Sequence, residues 1–598
     1  MKPIRYSIVP KQPAAHLFEV SVTVPQPDPA GQRFTLPAWI PGSYMVREFA
    51  RHIVTIDAVC RGRKVALAKL DKHTWQAAPC KGALTLTYQV YAWDLSVRAA
   101  HLDQTHGFFN GSSVFLCVAG QEATPCEIDI VRPGGVQYRA WQVATALAPA
   151  PDTKALGFGR YLACDYDELI DSPVELGTFA HASFKACGAL HEVAITGNVP
   201  NLDIARLCRD MKRICETQIK FFEPAPGGRG RAPVSRYVFL VMAVGDGYGG
   251  LEHRASTALL CTRGDLPVLG HAAMSEGYRG FLGLVSHEYF HTWNVKRIKP
   301  AVFAPYDLAR ENYTSLLWLF EGFTSYYDDL MLVRSGVIAE QDYFDLLGKT
   351  IGNVLRGSGR HKQSVAESSF DAWIKYYRQD ENAPNAIVSY YTKGSLIALA
   401  LDLMIRTRTR GRKSLDDIMR ALWQRYGRDF YRGRPVGVRE EEVRPLFEQV
   451  SGMPLKEFFD SAVHGTSDLP LARLFEWFGV TLKAEPGENA KPSLGVKLGT
   501  SNGSCTLAQV HDGGAAQRAG LSAGDALVAL DGLRVTASNL DKLLARYRPG
   551  DDVRLHAFRR DELHEYVATL SAPEPARYRL SVVKEHGAAA RRARWLHG

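Results

Sequence analysis

Two histidines and a glutamate stand at helical spacing in Phe281-Leu-Gly-Leu-Val-Ser-His-Glu-Tyr-Phe-His291. Four residues of helix advance about 6 Å and turn slightly more than once around the axis. His287 and His291 therefore face one side, where they can grip a single metal ion, expected to be zinc. Glu288 lies one turn from that metal, within reach of a proton on an activated water. The same pattern also fits a helix whose histidines only cap or pack. A catalytic two-histidine site needs a third protein ligand and an open fourth position. Trp318-Leu-Phe-Glu-Gly-Phe-Thr-Ser-Tyr-Tyr327 offers Glu321 among aromatic and aliphatic residues, where a carboxylate is costly to bury without a cation or hydrogen bonds. The stretch from Tyr313 to Leu332 has enough helix formers to put Glu321 on a second helix facing the first.

Further strings extend the pattern. His287-Glu-Tyr-Phe-His-Thr-Trp293 followed by Trp318-Leu-Phe-Glu-Gly-Phe323 resembles the gluzincin metallopeptidases, whose metal set is two histidines and a distal glutamate. Gly249-Gly-Leu-Glu-His253 is similar to the G-x-M-E-N exopeptidase motif of aminopeptidase N and its relatives, and Tyr391-Thr-Lys-Gly394 to their Y-x-K-G. Leu36-Pro-Ala-Trp-Ile-Pro-Gly-Ser-Tyr44, Tyr166-Asp-Glu-Leu-Ile-Asp-Ser-Pro173 and Trp293-Asn-Val-Lys-Arg-Ile298 resemble the glycyl aminopeptidase family, which joins such a catalytic unit to a C-terminal PDZ domain. The resemblance spans nearly the whole chain.

It implies a zinc aminopeptidase that removes small N-terminal residues, glycine or alanine, from peptides with a free N-terminus. One Zn2+ per chain would sit on His287, His291 and Glu321, with Glu288 as general base. Tyr391, two before Lys393, would stabilise the oxyanion, leaving Tyr390 as a packing neighbour. Glu252 would pair with the substrate's α-ammonium, while Gly249 and Gly250 let an extended substrate lie beside the backbone or simply mark a turn. His253 departs from the asparagine of the related motif. Ser325 stands where thermolysin-like enzymes often carry an aspartate, with Asp328 and Asp329 further along. Two other readings stay open: an endopeptidase, and a peptide-binding adaptor with an idle metal site. His101 and His106 hint at a second metal site but lack further ligands in sequence, which favours a structural role.

The elements that must hold these residues imply a multidomain α+β chain. At 598 residues it exceeds one core. Residues 1 to 170 alternate apolar and polar positions between Pro and Gly breaks, as in Phe18–Val24 and Leu84–Tyr91, which predicts an antiparallel β-sandwich. Strands continue from 171 to 270, including Tyr237–Val244, with helical spacing from Leu202 to Phe222. Residues 271 to 465 read as mainly helical, the lower half of a thermolysin-like catalytic domain, with a capping signal at Ser414. The segment from 466 to 580 reads as a linker, centred on Glu485 to Pro492, and a PDZ domain. Leu494, Gly495 and Val496 match its carboxylate loop, which would take a C-terminal peptide, although Gly514 replaces a frequent proline.

Composition excludes several classes. Hydrophobic content of 46% and charged content of 23% are ordinary for a globular protein, and no apolar run reaches membrane-spanning length. The first residues read as a strand and not as a signal segment. Ten scattered cysteines fit buried, reduced thiols, and a cytoplasmic setting is expected. The net charge of +9 is spread out, which argues against a nucleic-acid partner. Arg406 to Lys413 reads as a solvated face, and the basic tail, residues 581 to 598, as a frayed end.

Overall fold

The predicted period-two alternation appears as buried stripes. Phe18, Val20, Val22 and Val24 on one strand, and Leu84, Leu86, Tyr88 and Val90 on another, all point into a single core. The computed structural model describes residues 2–224, 230–433, 435–486, 491–501, 503–573, 575 and 577–598. The linker expected at Glu485 to Pro492 lies partly outside the described residues. An eight-stranded sheet runs Ala148–Pro149, Gly159–Ala163, Cys126–Ile130, Ile4–Gln12, Leu17–Val24, Leu84–Tyr91, Ile53–Cys60, Arg63–Val65. Its pairs are antiparallel except Ile4–Gln12 against Cys126–Ile130, which is parallel. Two four-stranded sheets share its core. One includes Val174–Gly177, paired with His106–Phe109 and Gln142–Thr145, so these sheets continue past residue 170.

The chain divides into two compact units. The first comprises Met1–Asn312, Ser335–Val337 and Met419–Arg439, and the second Tyr313–Arg334, Ile338–Ile418 and Glu440–Gly598. Besides the sandwich, the first unit holds a five-stranded sheet ordered Ala180–Ala186, Ala189–Thr196, Arg236–Val244, Ser256–Thr262, Gly249–Glu252. Its centre is parallel, and the amphipathic helix Ile204–Phe222 makes the crossover, burying Leu207, Met211, Ile214 and Ile219. Among the described residues, Gly249–Glu252 is an edge strand, paired only with Ser256–Thr262.

In the second unit, helices Phe323–Arg334, Glu340–Arg356 and Thr392–Arg408 pack together, and a separate six-stranded sheet from Val496 to Thr569 encloses its own core, the PDZ domain. The carboxylate-loop glycine explains the missing proline. Gly495 sits at φ +70°, a Cβ on Gly514 would meet the Gly495 Cα at 3.0 Å, and the Gly514 N–H donates to the His511 carbonyl at 3.1 Å, a bond that proline would lose.

One expectation fails and another holds in part. The basic tail is not frayed: residues Ala588–Leu596 form a helix whose Trp595 is wholly buried against Tyr343, Phe344, Phe475 and Phe478. Its indole N–H donates to the Tyr326 hydroxyl at 3.1 Å. One large aromatic residue sets the docking, with Arg591 over the Trp477 ring at 5.0 Å, Arg592 paired with Glu340 at 2.6 Å and Arg594 exposed. In the cluster Arg406 to Lys413, the basic residues Arg408, Arg410, Arg412 and Lys413 are exposed as expected, whereas Arg406 is not. It is 6% exposed and pairs with Asp402 at 3.0 Å and Asp416 at 3.3 Å, carboxylates that lie four and ten residues along the chain. Among the described residues, no helix is long and apolar enough to cross a membrane.

Candidate active site

Helix Glu276–Phe290 starts at Ser275, whose hydroxyl accepts from the Tyr278 N–H at 3.0 Å, and runs through buried Phe281, Leu282, Leu284 and Val285. Two polar ties fix its far end. Gln218 Nε2 donates to the Ser286 carbonyl at 2.9 Å, and the Tyr289 hydroxyl meets His191 Nε2 at 2.9 Å. His291 caps the helix, and its Nδ1–H donates to the Asn294 carbonyl at 2.7 Å. That bond leaves Nε2 as the lone-pair nitrogen, the tautomer a metal ligand needs. The carbonyl is aimed back by a tight turn in which Val295, a β-branched residue, adopts φ +103°. The turn is clamped by Lys296 N–H to the His291 carbonyl at 3.1 Å and Val295 N–H to the Ile298 carbonyl at 2.9 Å.

The Nε2 atoms of His287 and His291 lie 3.1 Å apart, with ring planes at 84°. Two nitrogens about 2.0–2.1 Å from one tetrahedral zinc would be separated by about 3.3 Å, so the pair fits zinc. Two buried carboxylates converge on His291: donor atoms of Glu252, Glu288 and His291 all lie within 4.8 Å of one another, with Glu252 4% and Glu288 5% exposed. Converging buried carboxylates call for a cation.

Glycine lets this crowding occur. A Cβ on Gly250 would stand 2.1 Å from Glu288 Oε1, and one on Gly42 2.5 Å from Glu252 Oε2. The Gly249–Glu252 strand thus passes directly over the Glu288 carboxylate, and the loop containing Gly42 closes on Glu252.

Sequence reasoning missed the support behind Glu252. His253 turns away into a buried network, its Nδ1 3.0 Å from Asp171. Lys296 Nζ reaches the same carboxylate at 2.8 Å, and the Arg254 backbone N–H reaches it at 3.1 Å. Burial works to raise the Asp171 pKa, but Lys296, then His253 and Arg254, hold it well below the ordinary range. Burial likewise works to lower Lys296, but Asp171 and then Glu252 keep it raised. The strings Tyr166–Pro173 and Trp293–Ile298 contain Asp171, Asn294 and Lys296, yet nothing in their spacing assigned them a role.

In the second unit, Glu321 is 2% exposed within a π-helical turn, Trp318–Gly322, that leads into helix Phe323–Arg334. Such turns bulge the backbone and often occur at functional sites. Tyr391 caps helix Thr392–Arg408. Its ring stacks on Tyr390 at 4.7 Å and Tyr376 at 5.5 Å, and its hydroxyl lies 3.3 Å from that of Tyr377. Tyr390 is fully buried, while Tyr391 is half-exposed. Glycines join the two elements: a Cβ on Gly322 would meet Gly394 Cα at 2.6 Å, so the Glu321 turn and the Tyr391 helix cross backbone to backbone.

In the PDZ loop, Leu494 is buried, and the Gly495 N–H donates to the Ser493 hydroxyl at 2.9 Å. His101 and His106 stack at 4.9 Å with planes 21° apart, and each faces its own carboxylate, Asp103 or Glu175, at 3.3 Å. Ligand atoms of His101, Asp103 and His106 lie within 4.8 Å of one another, so the fold supplies the third ligand type that the sequence spacing lacked.

Residues 5–178 match the family model of the peptidase M61 N-terminal domain, 280–397 that of the M61 glycyl aminopeptidase and 492–570 that of a PDZ domain. The crystal structure of an aminopeptidase N family protein from Idiomarina loihiensis is 41% identical, covering 99% of this chain and 100% of its own, with a TM-score of 0.93. An M1 zinc metallopeptidase from Deinococcus radiodurans is 14% identical, covering 79% of this chain and 95% of its own, with a TM-score of 0.48. Comparison with curated proteins finds no match.

Proposed function

Since the chain belongs to the M61 glycyl aminopeptidase family, we propose that it is a zinc aminopeptidase that releases single small residues, glycine or alanine, from the free N-terminus of peptides. The observation that carries this reading is the pair of imidazole nitrogens 3.1 Å apart, beside the converging carboxylates of Glu288 and Glu252. In this reading His287, His291 and Glu321 hold one zinc ion per chain. Bound there, zinc supplies Lewis acidity toward water and the scissile carbonyl.

The chain's own residues do the rest. Glu288 takes the proton from the attacking water and delivers it to the leaving amine, work worth about 10²–10⁴ in rate. The Tyr391 hydroxyl donates to the oxyanion, typically worth about 10²–10³. Glu252 pairs with the substrate's α-ammonium and so sets the cut after the first residue. The free side of Gly249–Glu252 offers backbone groups to an extended substrate, which would lie there as an added strand.

The test is a panel of Gly- and Ala-initiated peptides, free and N-acetylated, with zinc measured on the same samples. Free peptides should be cut one residue at a time and acetylated ones left intact. Equal cleavage of both would replace this reading with an endopeptidase. Glu288→Gln should keep zinc near one per chain and lose turnover.

A further inference from the structure

A cavity of about 650 Å³ opens within the second unit between the PDZ domain and the helices that carry Tyr391. That volume is in the range of sites that enclose small ligands. On the PDZ side it is bounded by Ser493, Val496 and Lys497, from the carboxylate loop and first strand, and by Gln509 and His511. Facing them are Arg356, Arg360, Tyr376, Ser389 and Thr392.

Two features identify an occupant. The first is charge. Among the described residues, the lining includes Arg356, Arg360 and Lys497 but no Asp or Glu. Arg360 is already held by Asp468 at 3.0 Å, whereas neither Arg356 nor Lys497 takes part in an ion pair among the described residues. A nearby carboxylate, Asp512, is taken up by Lys362 and by the Ser358 hydroxyl at 3.1 Å. The cavity thus presents uncompensated positive charge. The second feature is continuity with the Tyr391 ring stack. Tyr376 lines the cavity and stacks on Tyr391 at 5.5 Å, and its hydroxyl accepts from Ser389 at 3.2 Å. The two walls are tied together as well. Asn385 donates to the Val510 carbonyl at 2.8 Å and accepts from the Asp512 N–H at 2.9 Å, as a neighbouring strand would.

We propose that this cavity seats the carboxyl-terminal end of a short peptide substrate, Arg356 and Lys497 pairing with its terminal carboxylate while its scissile bond lies against Tyr391. The inference rests on the reading that Tyr391 faces the scissile bond. Side-chain cations are the recognising groups because the Gly495 amide is already engaged by Ser493. A chain of residues spans about 3.3–3.6 Å each, so the device acts as a length gauge. It favours peptides whose carboxylate reaches the cavity and gives no help to longer or blocked ones.

The experiment uses the full-length zinc enzyme and a series of alanine peptides from three to six residues, each as free acid and as C-terminal amide. An alanine anilide, which lacks a distal end, serves as reference. At the bridging length the amide should show a KM about tenfold or more above the acid, the effect of losing a charge-assisted pair. Arg356→Glu with Lys497→Glu should erase that difference and leave anilide kinetics unchanged. Acid and amide kinetics that match at every length would overturn the proposal, as would charge reversal that slows acid, amide and anilide alike. Calorimetric titration of acid and amide into Glu288→Gln reads the same preference without turnover. A zinc-loaded wild-type enzyme inert toward the anilide would indict the aminopeptidase reading, and the titration would still decide the carboxylate site.

Discussion

Gly250→Ala isolates the contribution of close backbone approach to the chemistry. Gly250 has no left-handed φ, so alanine carries no backbone penalty there. The added methyl would nevertheless stand 2.1 Å from Glu288 Oε1 and 2.4 Å from its carboxyl carbon. Ordinary contact lies about 1 Å or more further out. The carboxylate must therefore swing away by roughly that distance, and a misplacement of about 1 Å costs on the order of 10²-fold in rate. That corresponds to about 2.7 kcal/mol of barrier. The neighbouring Gly249 supplies the control: a Cβ there meets nothing nearer than the Arg98 guanidinium at 3.7 Å, an ordinary contact. Stopped assays on a free dipeptide, with zinc analysis and thermal melts, should show kcat down about 100-fold for Gly250→Ala. Zinc and melting should stay close to wild type, and Gly249→Ala should remain within a few-fold. Equal kcat in the two variants would refute the idea that Glu288 is the base and that the strand holds it.

Glu252→Ala should cut kcat/KM for free peptides by at least about 30-fold while leaving any residual cleavage of blocked peptides unchanged; equal losses on both would remove the amine anchor. Trp595→Ala, which empties a fully buried site, should cost roughly 3–5 kcal/mol in urea unfolding, with Trp595→Phe recovering most of it. Asp171→Asn leaves Lys296 and Arg254 as buried cations and should cost about 3–5 kcal/mol at neutral pH. Because the Asp171 pKa is depressed, its stabilisation is full above the unfolded carboxyl value of about 3.9 and fades only as pH falls through the lower folded value. The gap between wild type and variant should accordingly narrow in strong acid, and a gap that widened would contradict the assigned sign.

Much of the scaffold was legible because burial writes itself into periodicity. Leu17–Val24, Leu84–Tyr91 and Ile204–Phe222 follow the patterns read from sequence almost residue for residue. His287, Glu288 and His291 were legible because helical spacing alone sets which side chains share a face. What stayed hidden depends on contacts distant in sequence. Asp171 meets Lys296 across 125 positions, and no local pattern encodes that pairing. Gly42 and Gly250 were visible as glycines, but not the carboxylates that make a side chain impossible there. The tail was misread for a related reason: its arginines dominate composition, while a single tryptophan decides where the helix docks.

The crossing of Gly322 and Gly394 leaves no slack between the turn presenting Glu321 and the helix presenting Tyr391. The two residues therefore travel as one rigid lever. Any breathing of this unit shifts both together, and a natural variant that retuned one would have to retune the other in the same step.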